Sequence, residues 1–288
     1  GSAEPPLGGR RLDPARDTVG ACESFRLTLA SSTEPLLTTV PGAFHAGMDD
    51  VLLCGLALAV VAWRRSHGYA DGRPSVLVEM EGHGRQDHLV EGADLSRTVG
   101  WFTARFPVLL DLAGIGLFEA LAGGPAAGQA LKRVKEQLRA APDHGLGYGL
   151  LRYLNPQTEQ TLAALARPQI TFNYLGRFAV PKASDWAVVP ASTLLLEGRG
   201  DATLPATHAL NIAAWIEDRP GGPQLNARWL WPAGLLPEAA VRELAQAWFQ
   251  ALEALADHAA RPGAGGHTAS DFPLAQLSQE EMDSLFAG

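Results

Sequence analysis

The chain reads as an α/β fold, strands covered by helices, and three observations carry that reading. Runs such as Glu23–Leu29, His208–Glu217 and Gln224–Trp231 alternate apolar and polar residues in the manner of half-buried strands. One helix, from Asp49 or Asp50 to about Arg65, is apolar on nearly every face, with Val51, Leu52, Leu53, Leu56, Leu58, Val60, Val61 and Trp63. Such a helix belongs inside a core. A second, from about Pro237 to His258, places Leu244, Trp248, Leu252 and Leu255 on one stripe suited to a sheet.

Composition narrows the function classes. With 288 residues, 47% of them hydrophobic, the chain can bury a large core. A net charge of −8 without a basic tract argues against nucleic acid. Cys22 and Cys54 are the only cysteines and form no Cys/His cluster, so neither a disulfide framework nor a zinc site is expected, and a reducing cytoplasm fits. No run of about 18 uninterrupted apolar residues indicates a membrane span, and no signal pattern opens the chain.

In chain order, Gly1-Ser2 resembles a cloning remnant, and the Pro/Gly/Arg/Asp-rich stretch to residue 20 reads as a linker or extended arm. After the first strand, a short helix is expected near residue 32, stopping before Pro41. Asp50, at the head of the apolar helix, is expected to cap free amides. Pro74–Met80 reads as a strand, with Arg97–Thr103 and Phe106–Asp111 returning as extended chain. Lys132, Arg133, Lys135 and Arg139 read as a solvated basic face. Pro142–Gly149 is a glycine-rich turn leading into helical Leu150–Leu154, and Gln169–Gly176 is a strand. Asp218–Gly222 suits a longer hairpin loop, 261–266 a linker, and Ser278 the start of a terminal helix with Glu281 at its third position.

The stretch least explained by folding is Glu81-Gly-His-Gly-Arg85, an acid beside two glycines at the end of an apolar strand. Glycines permit close backbone approach, and strand-to-loop junctions concentrate function. Glu81 is therefore a candidate general base; the competing reading is a glycine-rich turn with a solvated Glu81 and a structural Arg85. Asn173 and Tyr174 bring an amide and a phenol to the end of another strand, where either a structural or a binding role is open.

Several segments together carry a resemblance. Asp50-Val-Leu-Leu53, Glu81-Gly-His-Gly-Arg85, Arg97-Thr-Val-Gly-Trp-Phe-Thr103 with Pro107, Pro142 to Gly149, and Phe172-Asn-Tyr-Leu-Gly176 occur in the order and approximate spacing of epimerization domains of nonribosomal peptide synthetases. Ser270-Asp-Phe-Pro-Leu274 is similar to that family's exit linker. The resemblance implies a chloramphenicol-acetyltransferase-like mixed sheet flanked by helices, one lobe of a two-lobe domain with its site in a tunnel between the lobes. Residues 1–20 would be remnant and arm, 21–260 the C-terminal lobe, and 261–288 the exit linker with its short helix.

The family's first lobe carries a His-His-x-x-x-Asp-Gly motif. No adjacent His pair exists here; His45 and Asp49 match its inner spacing, but Phe44 and Asp50 stand where His and Gly belong. Gln86 also replaces the Glu common after the arginine. The resemblance thus implies acid/base inversion of the α-carbon of a carrier-bound aminoacyl or peptidyl thioester. Glu81 and Tyr174 would be catalytic, and Asn173, His83, Arg85 and Trp101 would bind substrate. No metal or bound cofactor is implied, because the substrate arrives on the phosphopantetheine arm of a carrier protein. The partner histidine would come from the missing lobe, leaving the isolated lobe inactive. A peptide-bond-forming condensation domain and a non-catalytic carrier-docking module are the alternatives.

Overall fold

The computed structural model describes residues 4–69, 73–86, 89, 91–179, 201–272, 274 and 281. In chain order the elements are β1 (Cys22–Leu29), α1 (Thr33–Leu37), α2 (Thr39–Phe44), α3 (Met48–Ser66), β2 (Ser75–Gly82), β3 (Ala104–Asp111), α4 (Leu117–Leu121), α5 (Pro125–Arg139), α6 (Tyr148–Tyr153), α7 (Glu159–Ala163), β4 (Ile170–Ala179), β5 (Leu210–Arg219), β6 (Gly222–Pro232) and α8 (Glu238–Ala259). The strands form one six-stranded mixed sheet in the order β1-β6-β5-β4-β2-β3. Only β2–β4 and β4–β5 are parallel. Their carboxyl ends therefore point to one edge of the sheet, the edge where open α/β sheets place ligands.

Strand alternation divides the sheet into two unlike faces. Val76, Val78 and Met80 of β2, Ile170 and Phe172 of β4, Ile212 and Ala214 of β5 and Trp229 of β6 are buried against helices. At the centre Trp248 of α8 meets Trp229 edge-on at 5.7 Å and Phe172 at 6.2 Å. Its indole N–H donates to the Leu52 carbonyl of α3 at 3.0 Å, which satisfies the polar end of the ring and joins the two long helices. Gly55 permits that close approach: a Cβ there would lie 2.7 Å from Leu252 Cδ2.

Several expectations are corrected by packing. The arm is not loose: Leu7 is buried, and Glu4 pairs with Arg64 of α3 at 3.1 Å. The short helix α1 ends at Leu37, before Pro41 as expected; what was not expected is the separate α2, which takes Pro41 as its third residue, where a missing N–H falls among those a helix start leaves unpaired. Residues 97–103 form a loop, with strand beginning at Ala104. The hairpin loop is tight, since Arg219 and Gly222 pair across only Pro220 and Gly221. Asp50 does cap a free amide at the head of α3, as expected. It is the buried third residue, accepting the Gly47 N–H at 2.6 Å and pairing with Arg139 at 2.8 Å.

The basic face of α5 is solvated at Arg133 and Arg139, which are exposed, but not at Lys135. Arg133 pairs with Asp111, Arg139 with Asp50, and Lys135 is only 1% exposed. The Lys135 ammonium donates to the Phe44 carbonyl at 3.0 Å and to both Asp271 oxygens at 2.6 and 2.7 Å. Around it, Ser270 donates to Glu136 at 2.6 Å and His267 stacks on His45 at 4.1 Å, so residues 266–272 lie against α2 and α5. The helix expected from Ser278 lies outside the described residues. Among those described, no single helix is long and apolar enough to cross a membrane.

Candidate active site

The face of the sheet away from the helices carries the charges. On β2 the inward Val76, Val78 and Met80 alternate with outward Glu79 and Glu81. Register sets Arg105 of β3 opposite Glu81 on one side and Asn173 of β4 on the other. The Arg105 Nε–H donates to Glu81 Oε1 at 2.8 Å and the same oxygen accepts from its Nη2. Asn173 Nδ2 donates to Glu81 Oε2 at 2.8 Å. Both carboxylate oxygens are thus held in a side chain 17% exposed, an orientation that one anchor alone would not fix.

Glu79 extends this cluster. His208, just before β5, brings its Nε2 within 3.3 Å of Glu79 Oε1, and Arg105 Nη1 lies 3.8 Å from that oxygen. The His208 contact, with smaller help from Arg105 and against partial burial, holds the Glu79 carboxyl below the usual range. Arg105 therefore stands between two carboxylates, one close and one at the limit of ion pairing.

The other expected site residues divide. Asn173 meets Glu81 directly, but Tyr174 does not. As the next residue in β4 it turns to the helix-bearing face and packs on the core. Burial first, and the Asp49 charge second, push its hydroxyl up to about 12 against Arg177, so it remains a neutral donor at ordinary pH. Glu81 and Tyr174, both expected to be catalytic, thus stand on opposite faces of the sheet.

His83 is exposed, and its Nδ1 accepts the Arg85 backbone N–H at 3.0 Å. The Arg85 guanidinium donates to the carbonyls of Leu95 at 2.6 Å and Thr98 at 3.0 Å and lies 4.4 Å over the Phe102 ring. Arg85 is therefore engaged in holding the 95–102 loop rather than reaching outward. Gly84, at φ +65°, completes the junction: a Cβ there would lie 1.6 Å from the Phe102 carbonyl oxygen. Trp101, on that loop, is 90% exposed.

Sequence reasoning missed Arg105, Glu79, His208 and Asp49. Glu79 and Glu81 had a readable signal, two acids at the i, i+2 spacing of one strand face. Asp49, at the start of α3 and partly exposed, is pushed up to about 6, by partial loss of hydration first and by Asp50 second, against Arg139 and His83. Among the described residues no group of three or more His, Cys, Asp or Glu side chains could hold a metal ion.

Comparison with known proteins now bears on this geometry. A model of the Condensation domain matches residues 9–277. The chain belongs to the condensation-domain family. Among curated relatives, a linear gramicidin synthase of Brevibacillus parabrevis is 37% identical over 282 residues, covering 95% of this chain and 3% of the relative. Tyrocidine synthase 1 of the same organism is 31% identical over 262 residues, 88% of this chain and 22% of that protein. This condensation-family chain also superposes on the epimerization domain from the third module of tyrocidine synthetase B, with TM-score 0.70 and 28% identity, covering 90% of the chain and 52% of that structure. The first condensation domain of the CDA synthetase matches with TM-score 0.53 and 18% identity, a likeness of fold, over 92% of this chain and 49% of that one. The α/β architecture, a mixed sheet flanked by helices, is that of condensation and epimerization domains. The chain spans about half of each solved domain and a small part of the synthetases. Condensation-type domains of such synthetases work with carrier-protein domains.

Proposed function

We propose that this chain is the C-terminal half of an epimerization domain that inverts the α-carbon of a carrier-bound aminoacyl or peptidyl thioester. The observation that carries the reading is the placement of Glu81. Near the carboxyl end of β2, on the face opposite Val76, Val78 and Met80, it is held at one oxygen by Arg105 and at the other by Asn173. The closer likeness to the solved epimerization domain than to the CDA condensation domain, 0.70 against 0.53 in TM-score, supports inversion over peptide-bond formation.

In this reading the Glu81 carboxylate accepts the α-proton while the C–H electron pair moves into the thioester as an enolate. A proton is then delivered to the opposite face by a group from the half of the domain outside this chain. Asn173 orients the carboxylate, and Tyr174, on the other face of β4, is assigned no proton. The substrate arrives on the phosphopantetheine arm of a carrier protein, and tethering supplies effective concentration without tight free binding. The isolated chain is accordingly inactive.

Loss of deuterium from the α-carbon of a carrier-loaded, α-deuterated substrate tests this directly. The complete two-lobe domain exchanges it, and Glu81→Gln lowers the rate by about 10²–10⁴-fold, the usual contribution of a positioned base. Undiminished exchange in that variant removes Glu81 from the mechanism. Exchange by the isolated chain removes the half-site reading, and a dipeptidyl product without inversion replaces it with condensation.

A further inference from the structure

The grip on Glu81 creates a chemical conflict. An ionised carboxylate offers about four lone-pair positions; Arg105 Nε and Nη2 take two on Oε1 and Asn173 Nδ2 takes one on Oε2, which leaves one on Oε2 open. A guanidinium beside a carboxylate also favours its charged form. A carboxyl that has taken a proton loses the charge that strengthens its bonds to a guanidinium. A proton taken at the open position of Glu81 Oε2 therefore releases Arg105, while Asn173 keeps the carboxyl aimed.

The sheet supplies a place for the displaced cation. Glu79 lies two residues back on the same face of β2, with its Oε1 3.8 Å from Arg105 Nη1. Arg105 is 47% exposed along its side chain, so the guanidinium can pivot, whereas Glu81 is 17% exposed and has less freedom. His208 steadies Glu79 from the far side at 3.3 Å, with Thr207 Oγ1 3.0 Å from His208 Nδ1. These are cross-strand contacts on β2, β3 and the entry to β5, and none of them runs through the core.

We propose that Arg105 is a positioning residue with two seats: on Glu81 it aims the carboxylate before substrate arrives, and on Glu79 it is parked while Glu81 takes the proton. The inference rests on the epimerization reading for its catalytic meaning, but the two seats are a property of this chain alone.

The test therefore has two arms. In the isolated chain, the Arg105 Nε–H resonance is followed by 15N-correlated NMR. In Glu81→Gln the guanidinium settles on Glu79, and the signal stays protected from solvent exchange; in Glu79→Gln/Glu81→Gln the protection is lost. Equal loss in Glu81→Gln alone overturns the proposal. In the complete domain, Arg105→Gln lowers kcat for α-proton exchange about 10- to 100-fold, the scale of a misplaced catalytic group, with KM for the carrier-bound substrate unchanged.

Arg105→Lys recovers part of that loss. Glu79→Gln lowers kcat less, and the double Glu79→Gln/Arg105→Gln variant is no slower than Arg105→Gln, because an empty seat has no effect once its occupant is gone. Multiplying effects, or an unchanged kcat in Arg105→Gln, overturn it. If the complete domain exchanges no α-proton at all, the epimerization reading falls, and the NMR arm alone decides whether Arg105 has two seats.

Discussion

The two faces of one sheet are built from the same strands and follow opposite rules. Toward the helices, Ile212, Ala214, Trp229, Phe172 and Val78 are buried with no charge among them; the indole N–H of Trp248 is satisfied by backbone, whereas that of Trp229 is buried without a hydrogen-bond partner among the described residues. On the other side polar clusters stand among apolar residues such as Leu77, Trp215 and Leu230. Glu217 of β5 meets Arg26 of β1 at 3.1 Å, and Asn226 of β6 accepts from Arg26 and Thr28; three strands away Glu81 meets Arg105 and Asn173. Apolar burial is non-directional and tolerates no unpaired charge, so it suits the side that must hold the fold. Charge-assisted bonds are directional and gain little net stability when partly exposed, so they suit the side that must present groups in fixed positions. The difference separates what a substitution costs: stability on one face, function on the other.

The sharpest way to break this division is a matched pair of variants measured in the same denaturant titration. Trp248→Ala empties the centre of the helix-bearing face and leaves the Leu52 carbonyl without its donor. We expect a loss of about 3–5 kcal/mol in urea unfolding, the range for a large buried aromatic. Glu81→Gln, which removes a partly exposed ion pair, should cost about 1 kcal/mol or less. If the two variants lose similar stability, the charged cluster is a structural element and the division fails.

The same division sets what could be read from the residues. The apolar periodicities of β2, β4, α3 and α8 were legible because burial writes itself into spacing. The helix-bearing side, its all-apolar α3 and the strand ending in Glu81 followed from that alone. Cross-strand partnerships were not legible. That Arg105 stands opposite Glu81 depends on the β2–β3 register, and that Lys135 is buried depends on Asp271, which is 136 residues away. The tightness of the 219–222 hairpin likewise depends on pairing rather than composition. One error was avoidable. Asn173 and Tyr174 are consecutive in a strand, so they cannot share a face, and only one could stand beside Glu81.

A smaller effect tests whether ion pairs away from the sheet obey the helix-side rule once they are buried. Lys135 is almost wholly enclosed, and Asp271 is its carboxylate partner, held below the usual range by the Lys135 contact and the Thr268 N–H against the opposing effect of burial. Asp271→Ala leaves the ammonium with only the Phe44 carbonyl. Breaking a buried pair by removing one partner costs about 3–5 kcal/mol; because Asp271 retains some exposure, about 2–3 kcal/mol is expected. The first readout is faster proteolysis and amide exchange across 264–272, where Gly266, Ser270 and Asp271 tie the segment to α2 and α5. Unchanged protection there would mean that stacking of His267 on His45 holds the segment without the ion pair.

The least effect is expected at Asp49, where the two faces meet at the strand ends through its electrostatic reach to His83 and Tyr174. Its carboxyl, pushed up to about 6 in the folded chain, stands above an ordinary aspartate near 3.9. Between those values the folded state binds the proton that the unfolded state releases, so stability falls as pH rises through the interval. The contribution is fully present below about pH 4 and lost above about pH 6. Asp49→Asn removes the titration: thermal unfolding of variant and parent should differ least near pH 4, and the variant should gain by pH 7.5. Asp49 is more than a third exposed, so solvent screening limits the gain to under about 1 kcal/mol. A difference that does not change between pH 4 and 7.5 would show that water reaches this carboxyl freely, and that the edge between the faces behaves as open surface.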